Sequence, residues 1–119
     1  MSHDAFTTAY FEAMAFTDCH GDEPELRDAK GWSPELTAST VTDCETFQES
    51  NLAELDIAYA TGDYGPVQAG HDFWLTRNGH GAGFWDRGLG PVGTRLTDAA
   101  HACGSVDLYA GDDGWIYGT

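Results

Sequence analysis

The chain has 119 residues, 41% of them hydrophobic and 13% aromatic, and sets 20 acids against 5 bases for a formal net charge of −15. That is one domain's worth of sequence with enough apolar content to bury a core, which excludes a disordered polymer. No apolar stretch approaches the roughly 18 residues of a membrane span, and a field of this sign repels DNA and RNA, which argues against direct nucleic-acid binding.

Residues 4–16, "DAFTTAYFEAMAF", space Phe6, Tyr10 and Met14 four apart with Ala13 alongside, a helical stripe behind Asp4 as N-cap. The same opening carries an acid where a signal peptide needs positive charge, so the chain reads as soluble, not exported and cytoplasmic. Residues 17–31, interrupted by Gly21, Pro24 and Gly31, read as an acidic surface loop. Ser33, Pro34 and Glu35 then give the strongest helix start in the chain: N-cap, N1 proline and first-turn acid. Leu36, Thr40, Cys44, Phe47, Asn51 and Leu55 follow on one face, and the helix is expected to stop near Asn51 and resume only briefly.

Residues 60–70 form a Gly/Pro connector, after which the character changes. The aromatic and β-favouring runs 71–78 and 84–87 flank the glycine turn "GHGAG", a pattern that predicts a hairpin with Phe73 and Leu75 on one face and Asp72, Trp74 and Thr76 on the other. A loop leads into a helix whose apolar face is Leu96, Ala99, Ala100 and Cys103, ended by Gly104. Val106, Leu108 and Ala110 then alternate towards "GDDG" and the returning "WIY", a second hairpin. The expected fold is α+β in the order ααββαββ, a small antiparallel sheet of two hairpins packed against two to three helices. It would form a single globular domain over 1–119, with an acidic helical half (1–65) and a hairpin–helix–hairpin half (66–119).

Cys19, Cys44 and Cys103 are odd in number and lack CxxC spacing, which points to reduced, mostly buried thiols rather than a disulfide framework or zinc knuckle. Cys19 and His20 adjoin as a nominal ligand pair, but nothing in the pattern calls for a metal or another cofactor.

The stretch "HDFWLTRNGHGAGFWDRG", His71 to Gly88, concentrates the chemistry-bearing side chains. His71, Asp72, His80 and Asp86 are candidates for acid–base work, and a small hydrolase would draw on His71, His80 and Asp86, yet no nucleophile motif accompanies them. A nucleotide sponge would stack a base on Trp74, Trp85 and Phe84, meet phosphates with Arg77 and Arg87, and use His80. The scaffold reading makes the aromatics cross-strand pairs, the Asp and Arg residues register-fixing ion pairs, and His80 an exposed turn tip.

The block from Ala69 to Gly88, followed by "GSVDLYAGDDGWIYG", resembles a family of small acidic proteins encoded by bacteriophages and other mobile elements. The resemblance is strongest over residues 69–119. It implies an accessory protein of the host-cell cytoplasm that blunts host defence by binding, and it carries no catalytic residue with it. The charge distribution fits such a binder. Residues 1–65 hold fourteen acids and two bases, against six and three in the remainder. The resulting expectation is a non-enzymatic counter-defence protein of anti-CRISPR or anti-restriction type. Glu35, Asp43, Glu45, Glu49 and Glu54 would mimic phosphates towards the basic surface of a host defence complex, with exposed Trp or Tyr as anchors.

Overall fold

In the computed structural model, which describes residues 3–19 and 23–119, helix α1 runs Ala5–Asp18. It starts at the expected cap: the Asp4 carboxylate accepts from the Thr7 amide at 2.8 Å. Phe6, Tyr10 and Met14 are buried along it. The acidic segment that follows is not all loop, because Pro24–Arg27 close one helical turn, α2, that sinks Leu26 into the core. His20, half of the nominal ligand pair, lies outside the described residues.

Helix α3, Pro34–Ser50, begins as its start signal dictates, with Ser33 Oγ accepting from the Leu36 amide at 3.1 Å. Leu36, Thr40, Cys44 and Phe47 are its buried stripe. The chain breaks at Asn51, whose side-chain amide turns back to the Phe47 carbonyl at 2.9 Å, and resumes as α4, Leu52–Tyr59, longer than the brief turn expected.

The first expected hairpin does not form. Helix α5 occupies Pro66–Arg77, a single 3-10 turn covers Phe84–Asp86, and neither arm of the 71–87 segment is a strand. Aromatic and β-branched content favoured strands there, yet that preference is weak beside packing. Ala69, Phe73 and Arg77 are spaced four apart, as are Asp72 and Thr76, and all five are buried together with Trp74. A helix buries that set at once, whereas a strand would turn half of it to solvent. Pro66 at N1 marks the true start, and Gly70 is a contact rather than a break. A Cβ there would overlap the backbone carbonyl of Phe6 and crowd Ala9, so glycine lets α5 lie directly on α1. At that crossing the Phe47 and Phe73 rings stack at 4.1 Å, and Tyr10 meets Phe73 at 5.3 Å and the edge of Trp74 at 5.4 Å. Burying Phe73 alone contributes about 1.5–3 kcal/mol.

Helix α6, Pro91–Ala102, buries Val92, Leu96 and Ala100. Cys103, expected on that face, is exposed, because the chain leaves the helix there and turns at Gly104 (φ 78°). The second hairpin forms as expected: β1, Leu108–Ala110, pairs antiparallel with β2, Ile116–Gly118, in the register Tyr109↔Tyr117. Residues 30–33 run along β2. Ile116 donates to the Gly31 carbonyl and Ser33 to the Ile116 carbonyl, both at 2.8 Å, which ties the ribbon to the start of α3. The architecture is therefore mostly helical with one two-stranded antiparallel sheet, α+β in class but not in the expected order. No helix among the described residues is long and apolar enough to cross a membrane.

Two stability outcomes follow from these contacts. Gly70→Ala should lower the thermal midpoint by the equivalent of up to about 2 kcal/mol, since the Cβ meets rigid backbone and overpacking of about 1–3 kcal/mol outweighs the ~1 kcal/mol of helix propensity gained. Gly81→Ala, where an added Cβ meets nothing within 4 Å, should leave the midpoint unchanged and serves as the control. Asp4→Ala should cost about 1 kcal/mol at neutral pH. Burial pushes the Asp4 carboxyl up, but hydrogen bonds from Thr7 and Gln48 outweigh it, so its pKa lies below the ordinary 3.8. Its contribution is present above pH 3.8 and is lost as pH falls through the depressed folded value, so denaturation curves of the two proteins should converge in acid.

Candidate functional site

Arg77 closes helix α5 from inside the protein. Its side chain is 4% exposed, and Nη1 donates to Asp43 Oδ2 at 2.9 Å and to the Tyr10 hydroxyl at 3.2 Å. Nε and Nη2 donate to the carbonyls of Gly104 and Cys103 at 2.8 and 3.1 Å, where a cation also complements the negative end of α6. Burial works against the charge, but Tyr10 and Asp43 hold the guanidinium's pKa above its ordinary value. The guanidinium lies 5.1 Å from the centroid of Phe73. One arginine thus joins α1, α3, α5 and the end of α6, with four of its five N–H groups engaged inside the protein.

Asp72 is fully buried one turn earlier on α5. It accepts from Tyr64 Oη at 2.6 Å, from Gln68 Nε2 at 3.1 Å, and from Arg87 through Nε at 3.1 Å and Nη2 at 2.8 Å. The fork geometry is bidentate, the arrangement in which an arginine and a carboxylate hold each other best. The bond to Asp72 raises the Arg87 pKa, while burial, followed by the bond to the Asp72 carboxylate, raises that of the Tyr64 phenol. The ion pair fixes the 3-10 turn to α5, a job expected of strand register.

The residues of the sponge reading are not brought onto one surface. Trp74 is 1% exposed with its indole donating to Thr17 Oγ1 at 2.8 Å, and Arg77 is buried as described. His80 and Trp85 are exposed, and Arg87 is half-buried against Asp72. For the hydrolase set, no hydrogen bond or ion pair among the described contacts joins His71, His80 and Asp86; the His71 imidazole instead faces Glu12 at 3.9 Å. Among the described residues no three His, Cys, Asp or Glu side chains are grouped to hold a metal. Cys44 is buried, which pushes its thiol up to about 12, while Cys19 is half-buried and Cys103 exposed.

A groove of about 490 Å³ lies between α1 and α5, walled by Ala13, Phe16 and Leu75 with Glu12, His71 and Arg87 at its polar side. Sequence reasoning missed it because the α1–α5 contact was hidden by the strand assignment. It also missed Tyr64 and Gln68 as partners of Asp72, although the four-residue spacing of Gln68 and Asp72 was a usable signal once α5 is a helix.

The acidic candidates divide. Asp43 is drawn inward to Arg77, and Glu54 meets Arg95 at 3.5 Å. Glu35, Glu45 and Glu49 are exposed on α3 and take part in none of the described ion pairs. Glu45 and Glu49, four apart, share one outer strip of the helix. The arginines divide in the opposite sense. Arg27, Arg77, Arg87 and Arg95 pair with Asp28, Asp43, Asp72 and Glu54, so all four are met by carboxylates of the same chain.

Comparison of the chain with models of protein families, with curated proteins and with solved structures finds no match.

Removing Asp72 leaves the Tyr64 hydroxyl without its acceptor and the half-buried Arg87 without its carboxylate, so Asp72→Ala should destabilise by about 1–3 kcal/mol in chemical denaturation. The double variant Asp72→Asn/Arg87→Gln should be less destabilised than the sum of its single changes, by roughly 1 kcal/mol or more. Strict additivity would show that the pair is not coupled.

Proposed function

We propose that the protein is a non-enzymatic binder that blocks a basic protein surface of the kind built to hold nucleic acid. In this reading it is a phage or mobile-element counter-defence protein of anti-CRISPR or anti-restriction type. The observation that carries the proposal is the allocation of charge: every arginine is met by a carboxylate of the same chain, while Glu35, Glu45 and Glu49 face outward without a described partner. A phosphate-binding sponge needs free cations on its surface, and this surface offers few. A basic partner would be drawn to it, with faster encounter and salt-sensitive binding. The biological setting is the one expected from the resemblance of residues 69–119 to small acidic phage proteins. Asp43 and Glu54 are structural in this reading, and the contact set narrows to Glu35, Glu45 and Glu49.

The test is inhibition of defence systems in cells, paired with binding to the captured target at low and high salt. Glu45→Lys/Glu49→Lys should weaken binding roughly tenfold or more and relieve inhibition, because like charges set against a basic surface are strongly unfavourable. The fold should be unaffected, as both side chains are exposed. Full inhibition by the double variant, with binding indifferent to salt, would overturn the reading.

A further inference from the structure

The outer face of the C-terminal hairpin has no described layer over it. Alternation along β1 and β2 turns Ile116 (3% exposed) and Leu108 to the core, and Tyr109 and Tyr117 outward. The two phenol rings stack across the strands with centroids 5.8 Å apart and planes inclined by 21°. Trp115, two positions before Tyr117, continues the same face, and Tyr109 and Trp115 are 48% and 38% exposed. The cross-strand pair contributes about 0.2–1 kcal/mol to the ribbon, and the ring area it leaves exposed is open to a partner.

Carboxylates frame the rings. Asp113 accepts from the Tyr117 hydroxyl at 2.7 Å and from the Trp115 amide at 3.0 Å, which fixes its orientation before anything binds. The bond to Asp113 pushes the Tyr117 phenol up to about 12, with Glu35 across the start of α3 adding to the effect. Asp107 is exposed two residues before Tyr109, immediately ahead of β1. No Lys or Arg occurs after Arg95 in the sequence, and the neighbouring cation is Lys30, whose stem lies against Gly114.

We infer that this ribbon face is a docking platform for arginine side chains of a basic partner protein, with Tyr109 and Tyr117 stacking on the guanidinium and Asp113, Asp107 and Glu35 receiving its N–H groups. The inference rests on the acidic-binder reading and gives it an anchor point. Charge complementarity selects a cation. The planar rings beside oriented carboxylates select arginine over lysine, since guanidinium stacks and hydrogen-bonds in its plane while ammonium acts as a point charge. Aromatic anchors with oriented polar neighbours are also where interfaces concentrate their energy.

The experiment is an NMR titration of the isotope-labelled full chain at low salt with hexa-arginine, hexa-lysine and hexa-glutamate. Hexa-arginine should shift the amides of residues 107–117 and the Trp115 indole, with an affinity roughly two- to fivefold above hexa-lysine, and hexa-glutamate should not shift them. Tyr109→Ser should erase the arginine preference and Tyr109→Phe, which keeps the ring, should retain it, while Glu45→Lys/Glu49→Lys should leave the hairpin response in place. Shifts confined to α3 with the hairpin silent would overturn the platform and leave the acidic binder standing. Equal response of the hairpin to both cationic peptides would overturn arginine selection. No response anywhere to either peptide would overturn both readings.

Discussion

Helix α5 lies against the backbone of α1, and the glycine at position 70 is what permits the approach. A side chain there would meet the Phe6 carbonyl. With the two helices in contact, Phe73 reaches Phe6, Tyr10 and Phe47, and the indole of Trp74 reaches Thr17. The same closeness carries Arg77 inward until it touches Tyr10 and Asp43. Without it the aromatic residues of α5 would stand in solvent and the guanidinium would have no reason to be buried. Close backbone approach, aromatic packing and the buried charge are one arrangement.

That arrangement uses the scarce cations of an acidic chain as internal fasteners. Arg77 takes up the carbonyls at the end of α6, and Arg87 takes up Asp72 beneath the 3-10 turn. Arginine suits both places because its planar fork satisfies several acceptors at once and keeps its charge when buried. The consequence at the surface is a remainder of acid. With the arginines so engaged, the outward Glu35, Glu45 and Glu49 leave the surface of α3 acidic.

Legibility in the sequence followed the strength of local signals. Asp4, Ser33 and Pro34 have backbone jobs that neighbours cannot reassign, and α1, α3 and the final hairpin lie where those signals and the alternation of Leu108 and Ala110 put them. The segment 66–77 lacked such a signal at its chemistry-rich end. Its aromatic run resembles a strand locally, and only the partner helix makes its four-residue spacing meaningful. Gly70 misled for the same reason, since a glycine at a helix crossing and a glycine in a turn look identical in sequence. That Asp72, Arg77, Asp86 and Arg87 form ion pairs was anticipated across a pleat, but which acid meets which arginine was not: Arg87 joins Asp72 from a turn to a helix, and Arg77 goes to Asp43. The separation of inward Asp43 and Glu54 from outward Glu35, Glu45 and Glu49 depends on where Arg77 and Arg95 end up, which no spacing along α3 encodes.

The total charge of −15 is also a poor guide to how a partner meets this surface. At physiological salt exposed charges are screened beyond about 8 Å. Glu35 and Glu49 sit fourteen residues apart on one helix, which at about 1.5 Å per residue is roughly 21 Å, more than two screening lengths. They therefore cannot act as one cluster. Glu35 belongs electrostatically with the start of α3 and the Tyr117–Asp113 pair beside it, and Glu45 and Glu49 form a second centre about three to four turns away. A basic partner that covered both centres would need to follow α3 along its length, whereas one that docked on the hairpin would leave Glu49 in solvent. The acid-free run Pro91–Thr97, with its single Arg95 held by Glu54, would offer either geometry little attraction.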